Sequence, residues 1–141
     1  MNIKLVSENA VVPTYGSECA AGMDLYSTDA CSIAPGETVL VHTGICMEIP
    51  EGYFGAIYPR SGLATKRGLR LANCVGVVDS DYRGEILVAL YNDSDSPQTV
   101  DLHDRIAQLV LQPCLPPQRL ETVADLTPTA RASGGFGHTG K

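Results

Sequence analysis

Apolar and polar residues alternate with a period of two wherever the chain shows a period at all. In TVLVHTGICMEI, residues 38–49, one face carries Val39, Val41, Thr43, Ile45 and Met47, which predicts a strand pair or a bend near Gly44. Strands are also predicted at YFGAIY (residues 53–58), EILVALYN (residues 85–92) and RIAQLVLQ (residues 105–112). The segments APGE, IPEG and NDSDSP separate them with residues that preset or tolerate turn backbone. One stretch breaks the alternation. PRSGLATKRG, residues 59–68, has a Ser placed to cap the run GLATKR and a Gly placed to stop it, so a short helix is predicted there. Short strands at this spacing predict an all-β chain of sandwich, jelly-roll or barrel type.

The pattern fades towards the C-terminus. From Pro113, PCLPPQRL reads as an extended arm of polyproline-II type, and beyond Leu126 the only large apolar residue is Phe136. A tail so composed cannot pack a core and takes its order from a ligand or another surface. We therefore expect a core over residues 1–125 and an arm over residues 126–141.

Composition changes this picture in a few places. A length of 141 residues fits one domain, and 14 Gly and 9 Pro with no Trp fit many short segments joined by turns. The net charge of −6 argues against a nucleic-acid polymer as partner, because such binding draws on Lys and Arg. Cys19, Cys31, Cys46, Cys74 and Cys114 are odd in number and form no C-x-x-C, which points to reduced thiols rather than disulfides or zinc. The opening MNIKLVSENA lacks the apolar stretch of a signal peptide. The run ILVALY falls well short of the ~20 apolar residues that span a bilayer. The expectation is no membrane and a reducing cytoplasmic or nuclear compartment.

Two segments carry candidate chemistry. GVVDSDYRGE, residues 76–85, sets two acids, a Tyr and an Arg between apolar runs; alone it is first a hairpin-turn signal. Asp79 and Asp81 lack the spacing of an EF-hand loop. Gly135, Gly140 and Lys141 fit G-x-x-x-x-G-K, but no strand precedes them and no helix follows, so this is no P-loop.

Five segments occur in order: AAGMDLYS (residues 20–27), PRSGLA (residues 59–64), GVVDSDYRGE, DRIAQL (residues 104–109) and RASGGFGHTG (residues 131–140). Together they closely resemble the five motifs of the trimeric deoxyuridine triphosphatases, the dUTPases. The resemblance implies a distorted jelly-roll, or β-clip, subunit with one short helix and an extended C-terminal arm. It implies a homotrimer whose active sites lie at subunit junctions, each closed by a neighbour's arm. The implied reaction is hydrolysis of dUTP to dUMP and pyrophosphate, which keeps uracil out of DNA and supplies dUMP for thymidylate synthesis. The implied cofactor is Mg²⁺, held mainly by the substrate phosphates and waters with no direct protein ligand.

Roles carry over by position. Asp79 matches the residue that orients the attacking water. Arg60, Ser61, Gly62, Gln108, Arg131 and Thr139 match phosphate contacts, with Ser61 and Gly62 at a helix start whose free N–H groups favour an anion. Asn73, Val77, Val78, Tyr82 and Leu87 fall to the base and sugar: the backbone at Val77 and Val78 imitates a pairing edge, and the Tyr82 ring leaves no room for a 2′-hydroxyl. Phe136 would stack on the uracil, with Gly134, Gly135 and Gly137 allowing close approach. Asp24 and Arg105 are a candidate ion pair in support. The chain departs from the family pattern where His103 and Ala132 replace Gly and His138 replaces Ser. His42 lies in a strand pattern and reads as structural.

Two alternatives stand beside this reading. A dCTP deaminase shares the fold, but its pattern places a Glu ten residues after the third-motif Asp, where this chain has Ala89. A non-catalytic dUTP-binding regulatory module is the other; every residue expected to act is present, which weighs against it.

Overall fold

Strand propensity in short alternating runs gives twelve strands and one helix among residues 1–135, the residues described by the computed structural model. In chain order these are β1 (Ile3–Leu5), β2 (Thr14–Tyr15), β3 (Met23–Tyr26), β4 (Cys31–Ile33), β5 (Thr38–His42), β6 (Ile45–Met47), β7 (Tyr53–Pro59) and α1 (Ser61–Arg67). They continue with β8 (Leu69–Leu71), β9 (Gly76–Val78), β10 (Leu87–Asn92), β11 (Gln98–Val100) and β12 (Arg105–Pro113). The main sheet runs β2-β3-β12-β7-β9; a second runs β5-β10-β8, and β1-β6 and β11-β4 form two-stranded ladders. Every pairing is antiparallel. The chain thus folds, as expected, into antiparallel sheets with one short helix.

The inward positions build one core. Leu25, Ile33, Ile45, Leu69, Leu71, Ile86, Val88, Leu90, Ile106 and Leu109 are almost wholly buried. Each such side chain contributes about 1.5–3 kcal/mol relative to exposure. The buried Asn92 is fully bonded: its Nδ2 donates to Ile33 O at 2.9 Å and Ser96 O at 2.8 Å, and its Oδ1 accepts from Ser94 N at 2.9 Å. That fixes the turn expected at NDSDSP. The APGE and IPEG turns also form, with Gly36 at φ 76° and Gly52 at φ 83°.

Two local expectations need correction, and a third is settled between its alternatives. The segment at residues 38–49 keeps its buried face and forms the bend near Gly44 rather than the strand pair: β5 and β6 do not pair with each other. Gly44, at φ 67°, turns the chain so that β5 joins β10 and β6 joins β1. The stretch after β9 is not a hairpin either, since β9 pairs with β7 whereas β10 pairs with β5 and β8; it crosses between sheets. Finally, Ser61 is the first helical residue rather than the cap. Arg60 takes the cap position with extended backbone and no side-chain cap bond, and Gly68 closes the helix at φ 67° as a left-handed cap.

The last strand ends at Pro113, and residues 114–133 are exposed. Along them Leu115, Leu120 and Leu126 lie open to solvent. Among the described residues no helix is long and apolar enough to cross a membrane.

Candidate functional site

The edge position of β9 makes the first part of the site. Among the described residues β9 has a strand partner on one side, β7, with Gly76, Val77 and Val78 opposite Ile57, Ala56 and Gly55. Alternate backbone N–H and C=O groups on its other edge have no strand partner among the described residues. The pleat turns Val78 into the core and leaves Val77 exposed.

Beyond β9 the chain tightens at once, with Tyr82 N–H donating to Asp79 O at 3.1 Å. The Tyr82 ring folds back over Gly84, where a Cβ would lie 2.6 Å from Cζ, so a side chain at that position would push the ring aside. Its hydroxyl donates to Glu85 O at 3.0 Å. The result is a cleft of about 220 Å³ that brings together Asn73, Val77, Val78, Asp79, Tyr82 and Leu87, with Ile57 and Ile86 behind them. Asp79 also borders a broader groove of about 710 Å³ lined by Tyr53, Phe54, Arg83 and Leu115. The exposed Asp79 carboxylate stands where the two meet.

A second cluster forms where β7 ends and β12 begins. Antiparallel pairing sets Ala107 opposite Pro59 and Gln108 opposite Asp24. The Asp24 side chain, 12% exposed, takes Arg60 Nε at 3.0 Å on Oδ1 and Arg105 Nη1 at 3.2 Å on Oδ2. Arg60 Nη1 further donates to Arg105 O at 3.3 Å. Two guanidiniums on one carboxylate leave a net positive charge, oriented rather than free to sweep. Gln108 Nε2 is tied alongside, donating to Pro59 O at 3.1 Å. Ser61 and Gly62 are exposed in the first turn of α1, with open space beside Gly62.

The tail makes a third, separate group. Arg131 Nε donates to Gly134 O at 2.9 Å, and the turn passes through Ala132 at φ 46°. Gly135 follows in the open. Phe136, Gly137, His138 and Thr139 lie outside the described residues. Neither the Asp24 cluster nor the Arg131 turn lines the cleft or the groove beside Asp79.

Two features had no local signal in the sequence. Asp24 holds Arg60 as well as Arg105, and Glu85 lines the cleft while bonding to Gly44 and His42. Both depend on contacts far apart in the chain. Among the described residues no three His, Cys, Asp or Glu side chains converge as a metal cage. Cys31 has its thiol pKa raised above the usual 9.0 by burial, with Glu37 and Asp29 adding to the effect.

Comparison with known proteins shows the family. A family model described as dUTPase matches residues 8–140. The deoxyuridine 5'-triphosphate nucleotidohydrolase of Actinobacillus pleuropneumoniae serotype 5b is 48% identical over 133 residues, covering 92% of this chain and 87% of that protein. That of Nautilia profundicola is 45% identical over 141 residues, covering 100% and 99%. Among solved structures, the Staphylococcus bacteriophage 80alpha dUTPase with dUpNHpp superposes with a TM-score of 0.92 at 27% identity, over 99% of this chain and 98% of that one. A mutant dUTPase from phage phi11 of S. aureus, described with a coordinated structural Mg(II) ion, gives 0.83 at 25% identity, over 90% and 98%. A family match over nearly the whole sequence, full-length relatives and a shared fold lead to one conclusion: the chain belongs to the dUTPase family.

Proposed function

We propose that the chain hydrolyses dUTP to dUMP and pyrophosphate, with Asp79 orienting a water against the α-phosphorus. The observation that carries this reading is the place of the Asp79 carboxylate, exposed between a small half-apolar cleft and a wider groove. The uracil enters the cleft and bonds to the free edge of β9 at Val77 and Val78, beside Asn73 and Leu87. The Tyr82 ring closes on the deoxyribose. Asp79 then holds the water and accepts its proton. An ordinary carboxylate is a weak base, so most of its effect comes from placement. Arg60, the α1 start at Ser61 and Gly62, Gln108 and Arg131 offset charge on the phosphates. Phe136 stacks on the base, Gly134, Gly135 and Gly137 give the backbone room, and Thr139 adds a phosphate contact.

The donor set suits an Mg²⁺ carried by the triphosphate and waters, because the described acids form no cage while Asp79 lies open beside the groove. Such an ion supplies charge neutralisation at the phosphoryl oxygens. A homotrimer is the assembly that fits best. The cleft beside Asp79 is lined by neither the arginine cluster nor the tail turn, and the stretch after β12 exposes Leu115, Leu120 and Leu126, apolar side chains that a neighbouring chain would cover. Five free cysteines suit a reducing cytoplasmic or nuclear setting. The physiological consequence is removal of dUTP before it reaches DNA and supply of dUMP for thymidylate.

The test is pyrophosphate release from dUTP, dTTP, UTP and dCTP in Mg²⁺. The expected preference for dUTP over UTP in kcat/KM is about 10² or more. Equal rates on all four, or ammonia released from dCTP, would contradict the reading.

A further inference from the structure

We infer that Glu85 is a positioning residue that stiffens Tyr82 and so sets the rejection of ribonucleotides. The inference rests on the reading that Tyr82 faces the sugar.

Both carboxylate oxygens of Glu85 are engaged within the fold. Its Oε1 accepts Gly44 N–H at 2.8 Å, and its Oε2 stands 2.9 Å from His42 Nδ1, which donates in its Nδ1–H tautomer. The next residue is tied to the same bend: Ile86 N–H donates to Ile45 O at 2.9 Å, and the buried Thr43 Oγ1 donates to Ile86 O at 2.5 Å. Four bonds thus stitch residues 85–86 onto residues 42–45.

That bend is closely packed. Gly44 sits at φ 67°, and a Cβ there would lie 2.8 Å from both Ala10 Cβ and Thr28 Cγ2, so the backbone is already in contact on that side. At its other end Glu85 presents its carbonyl to the Tyr82 hydroxyl, while Tyr82 N–H reaches back to Asp79 O. A closely packed bend, a carboxylate bonded at both oxygens and a tethered phenol therefore follow one another in direct contact.

The consequence concerns selectivity. Tyr82 is 45% exposed, so packing alone does not immobilise it. A wall rejects one extra hydroxyl only if it does not yield, and here the stiffness comes from the bond to Glu85 and the seat over Gly84. Loosening Glu85 should admit UTP more than it harms dUTP.

The experiment measures kcat/KM for dUTP and UTP in Mg²⁺ with E85A, E85Q, H42A, Y82F, Y82A and the E85A/Y82F double variant. E85A should lower the dUTP/UTP ratio by about tenfold, part of the ~10² that a pocket commands against an added hydroxyl. E85Q, whose amide oxygen still accepts from Gly44 and whose NH₂ can meet the other His42 tautomer, should restore most of it. H42A should shift the ratio the same way by less. Adding Y82F to E85A should change the ratio little further, because E85A loosens the carbonyl that anchors the Tyr82 hydroxyl and Y82F removes the bond to it, so both act through one tether. Equal loss on both nucleotides in E85A, or multiplying effects in the double variant, overturns the inference. Should thermal unfolding show that E85A does not fold, the H42A and Y82F pair is read by the same criterion. Y82A separates the two levels. An unchanged ratio in Y82A refutes the sugar-facing reading, whereas a collapsed ratio in Y82A with an unchanged one in E85A refutes only the role of Glu85.

Discussion

Replacing Asp24 by Asn tests whether the arginine cluster serves the phosphates. The Asp24 carboxylate makes two charge-assisted bonds, at 3.0 Å to Arg60 and 3.2 Å to Arg105. Asn keeps one acceptor oxygen but turns an NH₂ group towards the other guanidinium. One strong bond is lost and a donor meets a donor. A bond to a charged group contributes about 1.5–3 kcal/mol. The arginine side chains are 29% and 50% exposed, so water takes up part of the loss, and about 2 kcal/mol of stability is the expected cost. The functional cost follows from geometry. Arg60 loses its Nε anchor, and a displacement of about 1 Å at a positioning group can cost 10²-fold. We expect kcat/KM for dUTP to fall between about tenfold and 10²-fold. Arg105→Ala leaves the Asp24 to Arg60 pair intact and should fall by clearly less. The assay is steady-state pyrophosphate release, paired with urea unfolding at fixed protein concentration. A D24N variant that loses the expected stability yet turns over dUTP at the original rate would refute the link between Arg60 and the phosphates.

Two further outcomes follow from the structure. His103 adopts φ 64°, a left-handed conformation that costs a non-glycine residue about 1 kcal/mol, while its Nε2 lies 3.0 Å from Asn9 O. H103A keeps the strain and loses the bond, so it should be less stable by about 1 kcal/mol, whereas H103G loses both and should be near neutral; urea midpoints showing H103A as stable as H103G would contradict this. Burial and the acids Glu37 and Asp29 raise the Cys31 pKa, so at any given pH Cys31 holds less thiolate than an unperturbed thiol, and the deficit closes only as pH rises past the raised value. A brief iodoacetamide pulse at pH 8 on the folded protein, read by mass spectrometry, should label the exposed Cys19, Cys74 and Cys114 ahead of Cys31; equal labelling would contradict it.

Local signals in the sequence were reliable where the structure depends on local physics. The runs at residues 53–58 and 105–112 are strands because alternation matches the pleat, and Pro35–Gly36 and Gly52 turn the chain as their backbone preferences dictate. Partner choice was not legible. The segment after β9 looks like a hairpin, yet its polar groups bond to Gly44 and Ile45, some forty residues away. Ser61 looks like a cap, but the strand runs through Pro59 and the Arg60 side chain goes to Asp24, so the helix begins one residue early. The cleft was easier to read because Asn73, Val77, Val78, Asp79, Tyr82 and Leu87 are near neighbours in sequence. Residue pattern alone still called that stretch a turn; only the family resemblance gave its members roles. The structure also explains why Gly is usual at positions 103 and 132, since His103 and Ala132 both adopt positive φ, where a side chain is strained.

The most direct measurement concerns Asp79, the carboxylate at the junction of cleft and groove. In D79N, single-turnover pyrophosphate release from dUTP should fall by about 10²–10⁴-fold, while equilibrium binding of dUTP changes by no more than a few-fold. A D79N protein that releases pyrophosphate within a few-fold of the original rate would show that another group activates the water.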